Sequence, residues 1–324
     1  MNLLYLLNYL IFAVFLTMFI LEVGIAILLS FFKQYREKLR SMLMPMWGIT
    51  GTFAVFYVVN FEATYPPLLP LVGTAYALPL LIALLFFISR NAMLAYSEYV
   101  GDQKSRDTYT KIYTLSALVI SIIVTFVLAS GASGIGLNVA AWSLNYSFIN
   151  IFSILTFLSI ASMALLLSSI IIGVKELFRF RAIFSILPYL IMGAAIFLYL
   201  PYALSNILGL SNIILLILLL VLSSIIILGD PARKRAKCIS LSWVFLSIMF
   251  FGSLEYPYFF GGSINVNNYL INSTTGFYAL LITLIGGLCL IGALSFFAHT
   301  TYIKGYQVRS SNQGKPSEVE ETKE

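Results

Sequence analysis

Nine stretches of this chain are apolar for long enough to cross a bilayer, which takes about 20 residues of helix at a rise of about 1.5 Å each. They run from Leu3 to Phe32, Met42 to Phe61, Leu68 to Ser89, Ile112 to Gly131, Tyr146 to Val174, Ala182 to Ser205, Leu208 to Leu228, Cys238 to Tyr256 and Phe277 to Ile303. The sixth and seventh nearly touch. As one helix they would be about 70 Å long, twice what a bilayer needs. Pro201, Asn206 and Gly209 offer a place to reverse, so two spans are expected. Between the apolar stretches, all 19 Lys and Arg fall in five groups: Lys33 to Arg40, Arg90 to Lys111, Lys175 to Arg181, Arg233 to Lys237 and Lys304 to Lys323. The other connections, Thr64 to Pro67, Ala132 to Asn145, Asn206 to Ile207 and Pro257 to Gly276, carry no charge.

Inner loops retain Lys and Arg, whereas short translocated loops lack them. The alternation therefore predicts an odd number of crossings, with the N-terminus outside and the C-terminus cytoplasmic. The fold class that follows is all-α: a polytopic integral membrane protein with nine transmembrane helices. Residues 1–304 form the transmembrane domain. Residues 305–324 are polar, contain Gly314 and Pro316, end acidic, and are expected to be a disordered cytoplasmic tail.

Composition agrees. The chain is 60% hydrophobic and 10% charged, against about 25% charged for an average soluble domain. Its net charge of +6 is accounted for by orientation beside an anionic inner leaflet, so it does not point to nucleic acid. Cys238 and Cys289 have no paired spacing. The first span has no basic n-region and no cleavage site, and reads as retained. Asn145-Tyr-Ser and Asn272-Ser-Thr match the glycosylation acceptor pattern on the outer side, a short pattern that chance often produces.

Few residues could carry chemistry. Glu22 lies ten positions before the end of the first span, about 15 Å from the inner boundary. A carboxylate there costs several kcal/mol unless it is protonated, paired or hydrated. The topology places no Lys or Arg at that depth. Two readings follow: a functional proton carrier, or a protonated acid bonded to a neighbouring helix. Glu62 and Glu255, at outer span ends, read as solvated interfacial acids, with proton entry or exit as the alternative. His299 is the one histidine, and with Cys238 and Cys289 it completes no ligand set. Trp47, Trp142 and Trp243 sit near span ends, where aromatic belts are normal. There is no P-loop, nucleophile elbow or paired metal motif.

Several segments resemble subunit II of the cytochrome bd family of membrane quinol oxidases. Glu22-Val-Gly-Ile-Ala-Ile-Leu-Leu is similar to that family's Asp-Leu-Gly-Val-Gly-Ala-Leu-Leu. Arg36-Glu-Lys-Leu-Arg followed by Pro45-Met-Trp47 resembles its Glu-Arg-Arg stretch leading into Pro-Val-Trp. Tyr76-Ala-Leu-Pro79 through Arg90 and Tyr96 is similar to its third span, and Asn272-Ser-Thr-Thr-Gly-Phe with Tyr302-Ile-Lys304-Gly resembles its last helix and basic exit. The match covers about the first 100 and last 50 residues.

The resemblance implies nine spans arranged as two four-helix bundles plus a peripheral helix, in the plasma membrane. It implies a hetero-oligomer with a haem-bearing subunit I that holds haem b and haem d. The complex would oxidise quinol and reduce dioxygen to water with cytoplasmic protons, and this chain would hold no cofactor or metal itself. The family follows Pro-Val-Trp with an Asp associated with proton delivery; here that position is Gly48. The candidate proton path is then Glu22, lined by Trp47 and Thr50. The alternatives are a secondary transporter, for which Glu22 alone is a poor midplane site, and a scaffold subunit of another membrane complex.

Overall fold

The computed structural model describes residues 3–99, 102–271 and 274–298. Asn272, His299 and the tail from 305 to 324 lie outside these residues.

The first helix, α1 (Leu3–Phe31), is apolar around its whole circumference and buried along most of its length. That is the composition of a helix without a solvent face. It packs against α2 (Arg36–Thr64), α5 (Gln103–Ser133), α6 (Ile151–Ile172), α11 (Lys234–Glu255) and α12 (Thr274–Ala298). Helix α2 bends by 50° between Leu43 and Met46. Pro45 stands at the bend, where it can supply no N–H to the helical ladder.

The third apolar stretch is not one helix. The chain breaks at Tyr76, between α3 (Leu68–Ala75) and α4 (Ala77–Tyr99). Helix α4 then runs ten residues past Ser89. No Gly or Pro interrupts Arg90 to Tyr99, so the helix continues where the hydropathy stops. The sixth and seventh stretches are separate, as expected. Helix α8 (Arg181–Tyr199) ends before α9 (Pro201–Ile207), which opens on Pro201, and Gly209 precedes α10 (Leu210–Leu228). A single turn of helix, α7 (Lys175–Phe178), joins α6 to α8.

Among the described residues, seven helices are long and apolar enough to cross a membrane, or eight with the bent α2 taken as one span. Helix α12 is apolar but qualifies only as a shorter segment, Thr274–Cys289. Two small antiparallel hairpins stand outside the all-α expectation: β1 (Leu137–Asn138) with β2 (Ser143–Leu144), and β3 (Tyr258–Phe259) with β4 (Ile264–Asn265).

The element order repeats, which the sequence did not disclose. Helix α1, a turn at Lys33–Tyr35, α2, short α3, α4, α5 and a hairpin are followed by α6, short α7, α8, short α9, α10, α11 and a hairpin. Each hairpin leads into a 3-10 turn capped by an asparagine. Asn145 Oδ1 accepts from Ser147 N at 2.9 Å, and Asn265 Oδ1 accepts from Asn267 N at 3.0 Å. Equivalent elements meet about a common axis. Helix α1 packs on α6. At one end, Gln34 Nε2 and Tyr35 Oη donate to the Glu176 carboxylate at 3.2 and 3.0 Å. Bonding to its own amide, and then to these two donors, holds the Glu176 carboxyl below the usual range. At the other end Phe260 N and Gly261 N donate to Gly131 O and Ala132 O at 2.9 and 3.0 Å. Both hairpins therefore lie on one side, and the halves run parallel.

Candidate functional site

Glu22 is not alone. Its Oε1 lies 2.7 Å from Arg90 Nη1, with each side chain 2% exposed. Tyr113 Oη donates to the same oxygen at 3.0 Å. This corrects the expectation that no cation reaches that depth. Glu22 stands nine residues before the end of α1 and Arg90 nine before the end of α4, about 14 Å by helical rise in each case. Tyr113 is ten residues into α5. Three helices thus bring one acid, one base and one phenol to a single depth.

Arg90 is held further by Phe87, whose ring centroid is 4.7 Å from Cζ, and by Asn91 Oδ1, which accepts from Nε at 3.3 Å. Glu22 Oε2 and Arg90 Nη2 are buried without a partner among the described residues. The ionic contact offsets the cost of burying either charge. One carboxylate oxygen is left with its proton-accepting capacity unused.

Sequence reasoning missed Arg90 and Tyr113. The signal that could have found Arg90 was the unbroken helical sequence after it; Tyr113 carried none beyond its place in an apolar run.

The other two candidates lie apart in chemistry. Thr50 is buried, and its hydroxyl donates to Met46 O at 2.9 Å within α2. That is the usual way a hydroxyl is satisfied in an apolar helix. Trp47 is half-buried against the main core. No hydrogen bond joins either to Glu22 among the described residues. At Gly48, a Cβ would meet nothing within 4 Å, and the same holds at Gly51, so the side of α2 that carries these two glycines faces away from the core that Trp47 and Thr50 pack against.

A second polar cluster ties together the N-terminal ends of α2 and α5. Arg40 Nη2 and Arg36 Nη1 contact Asp107 at 2.7 and 3.0 Å, Arg40 Nη1 contacts Glu37 at 3.0 Å, and Arg40 Nε donates to Thr110 Oγ1 at 3.0 Å.

Nearer the hairpin end, a cavity of about 420 Å³ lies between the two repeats, walled by aromatic and aliphatic side chains including Tyr9, Tyr57 and Phe251. Glu255 lines it and is half-buried, so it is not the solvated interfacial acid expected from its position. Glu62 is exposed. Asn145 is exposed too, with its side chain engaged in its own turn. Among the described residues no three of His, Cys, Asp and Glu come together as a metal site.

The family model of cytochrome bd terminal oxidase subunit II matches residues 2–301. The chain belongs to this family. Its fold is also that of a solved structure, the bd oxidase from Geobacillus thermodenitrificans, with a TM-score of 0.75 at 19% identity over 92% of this chain and 98% of that one. No curated protein matches it. As a bd oxidase subunit II, the chain is a component of an oxidoreductase complex and a multi-pass membrane protein. It also departs from the family resemblance at a telling point. Gly48 stands where the resemblance leads one to expect an Asp, and the space beside it is open among the described residues.

Proposed function

We propose that this chain is the non-haem subunit II of a cytochrome bd-type terminal oxidase in the plasma membrane. The complex oxidises quinol and reduces dioxygen to water. The match over residues 2–301 carries this reading. Haem b and haem d, which supply the redox chemistry, belong to the partner subunit I. This chain has one histidine, His299, which lies outside the described residues.

The proposed topology is nine crossings in two four-helix bundles with α12 as the peripheral helix, N-terminus outside. The repeated element order and the packing of α12 on α2 and α1 support it. The chain's tasks are to support assembly of the haem subunit and to hold a proton on the cytoplasmic route. For the second, Glu22 is the group that accepts and releases the proton, at Oε2. Arg90 and Tyr113 fix Oε1, and the Arg90 guanidinium balances the carboxylate charge that remains when the proton leaves. Trp47 and Thr50, from α2, are second to these two.

Two measurements test the reading. A reduced-minus-oxidised spectrum of the complex purified through this chain should show haem bands, together with quinol-dependent oxygen consumption; a haem-free preparation that instead transports a solute would favour a secondary transporter. Within the active complex, Glu22→Gln should slow oxygen consumption by about a hundred-fold, the low end of the range for a lost general acid–base group. Unchanged turnover across pH would remove Glu22 from proton delivery and leave the family assignment standing.

A further inference from the structure

The turn between α10 and α11 surrounds a second cavity, of about 240 Å³, at the inner end of the second repeat. Its floor is apolar: Ile170 and Ile226 are buried beneath it, and Ile225 and Ile239 form its sides. Its rim is cationic, with Arg233 and Arg235 both lining the opening and both exposed.

Asp230 does not balance that rim. Its Oδ1 accepts from Ala232 N at 3.0 Å, and its Oδ2 is 3.6 Å from Arg233 Nε, so both oxygens face its own turn. Residues 230–237 hold four cations against this one acid, a net charge of +3. Arg235 has no carboxylate partner among the described residues. The apolar floor continues onto the outer face of α10, where Ile225 is 43% exposed and Leu228 83% exposed.

We propose that this cavity seats the headgroup of an anionic phospholipid of the inner leaflet, its phosphate between Arg233 and Arg235 and an acyl chain laid along Ile225 and Leu228. A free anion would gain nothing from four isoleucines, and a neutral apolar molecule nothing from two guanidinium groups. One molecule class carries both parts, and guanidinium groups suit phosphate oxygens in particular. Basic pockets between membrane helices on the cytoplasmic side are known places for such headgroups. This site is independent of how protons reach the haems.

The test uses the purified complex, stripped of lipid in detergent, and follows its melting temperature. Short-chain phosphatidylglycerol should raise it, whereas short-chain phosphatidylcholine and inorganic phosphate at equal concentration should not. The double variant R233Q/R235Q, which alters exposed side chains only, should lose the response, while K104Q/K111Q, on the first turns of α5, should keep it. An equal shift with phosphatidylcholine or with phosphate overturns the proposal. So does an undiminished shift in R233Q/R235Q, or an equal loss in K104Q/K111Q. Should the first variant not assemble, the ordering of the three additives on the unmodified complex decides.

Discussion

Removing a carboxylate and a guanidinium from water costs several kcal/mol for each, and their attraction returns this only while both are present. Glu22 and Arg90 are in that situation, at 2.7 Å and 2% exposure each. Arg90→Met should therefore destabilise the complex by about 3–5 kcal/mol, because it strands the Glu22 charge. Adding Glu22→Gln to it should recover most of that loss. A double-mutant cycle on melting temperature checks this, and additive losses would mean the two side chains are not coupled. Glu22 was legible in the sequence because an acid inside an apolar run is conspicuous. Arg90 was not, since it falls where the hydropathy declines, and charge-based topology assigns such a residue to a loop. The candidate site was thus half readable: its acid from composition, its base and phenol only from the packing of α1, α4 and α5.

At the level of elements, close approach of α1 and α6 depends on Gly24, two residues after Glu22. A Cβ there would collide with the Ala164 carbonyl oxygen and lie 2.6 Å from Ser168 Oγ. Because the first obstacle is backbone, the neighbour cannot rotate away. Gly24→Ala should cost about 1–3 kcal/mol and lower the yield of assembled complex, and Gly24→Val should cost more. Gly193→Ala, on α8, where a Cβ meets nothing within 4 Å, should leave stability unchanged or raised. Melting temperatures of the three variants decide it. Most helices were readable from the length of the apolar runs, and the α8–α10 reversal from Pro201 and Gly209. The break at Tyr76 had one signal, Pro79, which lacks the N–H that a continuous helix would need and is tolerated in a first turn. The hairpins escaped because their Asn, Ser and Gly residues look like any uncharged loop.

For the molecule as a whole, contacts of the second hairpin with the end of α5 at one end, and between the turns at Gln34 and Glu176 at the other, make the halves parallel. The cationic groups then predict which end is inside. A membrane-impermeant maleimide should label Tyr146→Cys, on a residue 92% exposed, in intact cells. Cys238 and Lys104→Cys should react only after permeabilisation. Labelling of Lys104→Cys from outside would invert the arrangement. The repeat itself was invisible in the sequence because what the halves share is element order and two capping asparagines, which apolar composition does not record. That order matters for biogenesis. The last carbonyls of α5, at Gly131 and Ala132, are closed by amides that arrive about 130 residues later, at Phe260 and Gly261. During synthesis, the first half must therefore wait in the bilayer with this end unsealed until the second hairpin has left the ribosome, and only then does the second half lock it.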